Sequence, residues 1–147
     1  MKLYRVPIYG YKLYIFVGDD YKSIVKSINR KLKECKLSSD DITEIKNAFG
    51  EPIPVGFFLG LSLTGNGILW ISEKFNPGKF DHFVTMSHEV IHTAIKVFEF
   101  IGTDVNSETE EPFCYLHDNI LEVCLKELEK SKNGHKNTIQ DEKGLLQ

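Results

Sequence analysis

From about Asp81 to Ile101 apolar residues recur with the period of an α-helix, and inside that stretch stands His88-Glu89-Val90-Ile91-His92. Residues four apart on a helix lie one turn above each other on the same face. Two imidazoles so placed can hold one metal ion, and the glutamate between them stands close enough to polarise a water on that metal. The helix must therefore bury one face while leaving this segment open. The pattern assigns Val84, Ile91, Ala94, Ile95, Phe98 and Ile101 to the buried face, with Gly102 closing the helix. At ~100° per residue, His88 and His92 flank that stripe, and Glu89 lies just beyond them, facing an opening.

The metal needs more than two ligands. Catalytic zinc commonly has three protein ligands and one open position. Two histidines and one carboxylate favour zinc over other divalent ions. The next helix is expected to begin near Pro112, after an acidic loop with Asp104, Glu108, Glu110 and Glu111, and to run to about Lys130. It must fold back across that short loop, so a carboxylate in its first turn can reach the metal. Glu111 is the choice, with Glu110, Glu108 and His117 as substitutes. Phe113, Leu116, Ile120, Leu121, Cys124 and Leu128 form its expected buried face.

The first half of the chain reads as scaffold. Leu3, Tyr4, Val6 and Ile8, then Tyr11, Leu13, Ile15 and Val17, alternate as two hairpin strands broken at Gly10. Pro7 is expected at an edge or bulge. A helix over about 21–36 uses Ile24, Val25, Ile28 and Leu32. A second starts at Ser38-Ser39-Asp40-Asp41 and stops at Gly50 and Pro52. Phe57–Leu63 and Ile68–Ser72 form a hairpin around Thr64-Gly65-Asn66-Gly67. The expectation is one α+β domain over residues 1–130, a small antiparallel or mixed sheet packed on helices, with a polar, disordered tail over 131–147.

Composition limits the partners. Apolar residues make up 41% and charged residues 27%, which suits a soluble globular domain. A net charge of -3 without a basic stripe argues against nucleic acid. No apolar run approaches the ~20 residues of a membrane span. Cys35, Cys114 and Cys124 are odd in number and irregular in spacing, as expected of reduced thiols in a cytoplasmic protein.

Three stretches carry a resemblance: Ile68-Leu69-Trp70-Ile71-Ser72, then Thr85-Met86-Ser87 with the His88–His92 motif, then Glu111-Pro112-Phe113-Cys114-Tyr115. Over about residues 68–120 the chain resembles zincin-type metallopeptidases of the gluzincin arrangement. It looks most like small zincin-like proteins encoded by bacteriophages and prophages, in which alanine is common where Cys114 stands. The resemblance implies a zinc-dependent peptidase acting on a peptide or protein. In it His88, His92 and Glu111 bind zinc, and Glu89 takes a proton from the attacking water and passes it to the leaving amine. It further implies that Ile68–Ser72 pairs with an extended substrate. Tyr115 is the expected oxyanion donor, with packing at the helix interface as its alternative role. Tyr115 also stands where many gluzincins carry an acidic residue supporting a zinc histidine, so Asp118 or Asp104 is expected to serve there. Competing readings are a non-catalytic, metal-stabilised binding or regulatory protein acting on a host factor, and a hydrolase of non-peptide amides.

Overall fold

The computed structural model describes residues 1–7, 9–31, 37–49, 55–61 and 66–144. Ile8, Leu32, Cys35, Gly50, Pro52, Leu63, Thr64 and Gly65 lie outside them. The fold is α+β. Strands β1 (Lys2–Arg5), β2 (Lys12–Val17), β3 (Gly56–Leu61) and β4 (Asn66–Ile71) form one mixed sheet in the order β1-β2-β4-β3. β1–β2 and β3–β4 are antiparallel, and β2–β4 is parallel. Helices α1 (Tyr21–Lys31), α2 (Ser39–Ala48), α3 (Phe80–Phe100) and α4 (Glu110–Gly144) complete it.

Alternation along the two central strands explains the layering. Tyr14, Phe16, Ile68 and Trp70 point to one face and pack with Ile24 and Ile28 of α1 and Ile45 of α2. Leu13, Ile15, Leu69 and Ile71 point to the other and meet Val90, Ala94 and Val97 of α3 and Ile120 and Cys124 of α4. A strand covered on both faces carries apolar residues at nearly every position, as β2 and β4 do. α2 starts where its sequence predicts: Ser38 accepts from the Asp41 N–H, and the Asp41 carboxylate accepts from the Ser38 N–H.

Four expectations need correction. Asn66 and Gly67 are not the centre of the hairpin turn. They are the first residues of β4, paired with Leu61 and Gly60. Gly67 fits there because a Cβ would sit 2.7 Å from the Phe58 ring. Ile68–Ser72 cannot accept a substrate strand, because β4 is hydrogen-bonded to β2 on one side and β3 on the other. The free edge beside α3 belongs to β3. α4 starts at Glu110 with Pro112 in its first turn, as expected, but runs to Gly144, past Lys130. Its apolar period stops at Leu128, and its polar remainder keeps a helical backbone without one.

The fourth correction concerns α3. Its buried residues are Met86, Val90, Thr93, Ala94, Val97 and Phe98, while Val84, Ile91, Ile95 and Ile101 are exposed. The helix carries two apolar stripes, roughly a third of a turn apart. The sheet and α4 take the one with Val90 and Ala94. Gly102 does close the helix, with φ +70° and the Thr103 N–H donating to the Phe98 carbonyl.

Tyr11 is buried by the same packing, and among the described residues its hydroxyl has no hydrogen-bond partner. An unsatisfied buried hydroxyl costs about 1–3 kcal/mol. Tyr11→Phe is therefore expected to raise stability by roughly 1 kcal/mol in urea unfolding. Burial, aided by the Glu99 charge, also pushes the phenol far above its usual pKa. The unfolded chain ionises first above about pH 10, so wild-type stability falls as pH rises past that value. Tyr11→Phe should lose less stability there.

Candidate metal centre

α3 lies with α4 on one flank and β3 on the other. His88 and His92 point out of the exposed side, opposite the sheet. Their Nε2 atoms are 3.0 Å apart, and the rings stand edge to face with centroids 4.5 Å apart. An ion held tetrahedrally at about 2.0–2.1 Å needs two nitrogen ligands about 3.3–3.4 Å apart. The pair stands within a few tenths of an ångström of that spacing, so it would supply two ligands of a zinc ion but not a complete set.

The expected positions of histidines and glutamate are exchanged. The histidines lie on the open face, and Glu89 is half-buried toward the sheet edge. Its carboxylate accepts a 2.9 Å hydrogen bond from the Phe58 N–H. Phe58 is the middle of β3, and this N–H points away from β4. Leu69, Phe75 and Met86 line a cavity of about 10 Å³ against Glu89. The motif carboxylate is thus fixed by a backbone donor between helix and edge strand. A charge-assisted bond of this kind contributes roughly 1.5–3 kcal/mol.

α4 returns antiparallel to α3. Ser87 Oγ lies 3.2 Å from His117 Nε2, and further along the pair the Phe98 and Phe113 rings meet edge to face at 5.6 Å. The connecting loop is tied at Thr109, whose hydroxyl accepts from the Asn106 N–H and donates to the Asp104 carbonyl. Glu111 is exposed in the first turn of α4, as are Glu110 and, before it, Glu108. Tyr115 is 67% exposed rather than packed between helices. Asp118 does not support His88 or His92; it bonds its neighbour His117 at Nδ1, 3.0 Å away. Asp104 supports neither histidine; its backbone carbonyl accepts from the Thr109 hydroxyl. Among the described residues, no three His, Cys, Asp or Glu side chains stand together as a group able to hold a metal ion.

Two features were not in the sequence reading. The Phe58 N–H is invisible to it because a backbone donor leaves no residue signature. The Ser87–His117–Asp118 chain was legible only in part, in the neighbouring pairs Ser87-His88 and His117-Asp118. Cys114 and Cys124 are free thiols, and burial of Cys124 keeps its thiol protonated. No described helix is long and apolar enough to cross a membrane. Comparisons with protein families, curated proteins and solved structures find no match to this chain.

Proposed function

We propose that this chain is a zinc-dependent hydrolase of peptide bonds. The observation that carries the reading is the convergence of His88 and His92 Nε2 at 3.0 Å on an open helix face, with the Glu89 carboxylate one helical position away. His88 and His92 would hold the ion, and α4 would close the ligand set, Glu111 being the residue that the resemblance names. When bound, zinc supplies a Lewis acid that polarises a carbonyl and acidifies a water. Glu89 would accept the proton of the attacking water and return it to the departing amine. Tyr115, exposed on α4, would be the oxyanion donor.

The surroundings support an extended peptide as substrate. β3 is the sheet edge beside α3, and an added strand could bond to it through main-chain groups once the Phe58 N–H is released from Glu89. Val84, Ile91 and Ile95, exposed alongside the histidines, offer an apolar surface for side chains. The same stripe favours a second reading, a metal-stabilised binding protein that uses α3 as its docking face. The two part on turnover. The zinc-loaded protein is expected to cleave members of a quenched-fluorescence peptide library, and chelation should abolish cleavage until zinc is restored. A library left intact by the zinc-loaded protein would favour the binding protein.

A further inference from the structure

β2 and β4 are the parallel pair of the sheet, and the chain leaves them toward opposite faces. After Val17 it enters α1, which packs on the face of Tyr14, Phe16 and Trp70. After Ile71 it runs on to α3, which packs on the face of Leu13, Ile15 and Leu69. Neighbouring parallel strands whose connections part in this way leave a crevice beyond their C-terminal ends, where open sheets hold ligands.

The crevice is present. A cavity of about 270 Å³ lies between the two exits, with Asp19 and Asp20 on the β2 side and Ser72, Glu73 and Lys74 on the β4 side. Phe49 and Trp70 form its apolar wall. The frame is tied together. The Gly18 N–H donates to the Ile71 carbonyl, and Trp70 Nε1 donates to the Asp19 carbonyl at 2.7 Å. Gly18 has φ +74°, and a Cβ there would lie 3.2 Å from the Glu73 Cβ, so the two exits stand close together.

The lining selects the charge of an occupant. α1 begins here, and a helix N-terminus favours anions. Asp20 already fills that role, accepting from the Ser23 N–H at 2.9 Å. The Asp19 and Glu73 carboxylates have no hydrogen-bond or ion-pair partner among the described residues. One cation, Lys74, stands against these three carboxylates. Ser72 is 8% exposed, and its Oγ accepts from the Lys74 N–H, which leaves its proton to donate. Among the described residues no three acidic, histidine or cysteine side chains converge closely enough to hold a metal ion. The spread carboxylates suit a larger, organic cation, whose stem Phe49 and Trp70 would cover.

We infer that this crevice binds a small organic ammonium ion with a short apolar stem. The site shares no residue with His88, Glu89 and His92, and it does not depend on the metal reading.

Trp70 is the only tryptophan of the chain, so its emission and its indole N–H signal in NMR report on the crevice. The test titrates the full-length chain, with a chelator present, with butylammonium, butanol and butyrate. Butylammonium should saturate with a Kd of about 1 mM or below and move the indole signal. Butanol and butyrate should bind at least about tenfold more weakly. Asp19→Asn and Glu73→Gln should each weaken butylammonium by about two- to fivefold. Glu73 is exposed, so its variant carries the test if Asp19→Asn fails to fold, as judged by circular dichroism. No saturable response to butylammonium would overturn the inference. So would butyrate or butanol binding equally well, or an affinity unchanged in the folded variants.

Discussion

Replacing Glu89 by Gln is expected to lower kcat at least about 100-fold, and up to about 10⁴-fold, with zinc content unchanged. The substitution keeps shape and nearly keeps bonding, because the amide oxygen can still accept from the Phe58 N–H that now holds the carboxylate. It removes the basicity that proton transfer needs. Since the lost interaction belongs to the transition state, kcat should fall while KM stays near its wild-type value. A variant that cleaves as fast as wild type would end the role assigned to Glu89. The same variant retains any pure binding function, and so separates the hydrolase from the binding protein.

His88→Ala is expected to abolish tight zinc binding and turnover together, with little effect on the zinc-free fold. His88 is exposed, and exposed substitutions usually change stability by no more than about 0.5 kcal/mol. Zinc at 100 times its dissociation constant should stabilise the wild-type chain by about 2.7 kcal/mol. For a domain of this size that raises Tm by roughly 5–10 °C. Differential scanning fluorimetry with and without zinc should show the rise in wild type and none in His88→Ala. An equal rise in both would mean that zinc binds elsewhere, and the two motif histidines would lose their assigned role.

How much of this was legible in the sequence depends on what sets each feature. The start of α2 is local: Ser38 and Asp41 satisfy each other within one turn, and the capping pattern states as much. The burial of β4 was present as a near-continuous apolar run, whereas β2 reads as alternating yet buries Tyr14 and Phe16 as well as Leu13 and Ile15. The burial of α3 was not legible, because Val84, Ile91 and Ile95 match the helical period as well as Met86, Val90 and Val97 do. Periodicity finds an apolar stripe but cannot choose between two, and the sheet made that choice. It turned His88 and His92 outward and Glu89 to the sheet edge.

The hairpin shows a related limit. Asn66-Gly67 has turn chemistry, yet Gly67 is needed in β4 because the Phe58 ring and the Tyr11 hydroxyl leave no room for a Cβ. The order β1-β2-β4-β3 makes β4 central, and strand order rests on long-range pairing that no local pattern encodes. This moved the open edge from Ile68–Ser72 to β3. In the candidate site, the motif residues were legible because their spacing is their geometry. The place of His117 depends on the register of α4 against α3, which Phe113 and Phe98 set across the loop.

The most direct measurement is the zinc content of the purified wild-type chain by native mass spectrometry, after zinc is supplied and excess removed. One zinc per chain, reduced to none in His88→Ala, is the predicted result. A wild-type chain that carries no zinc under those conditions would contradict the metal site and the peptidase reading built on it.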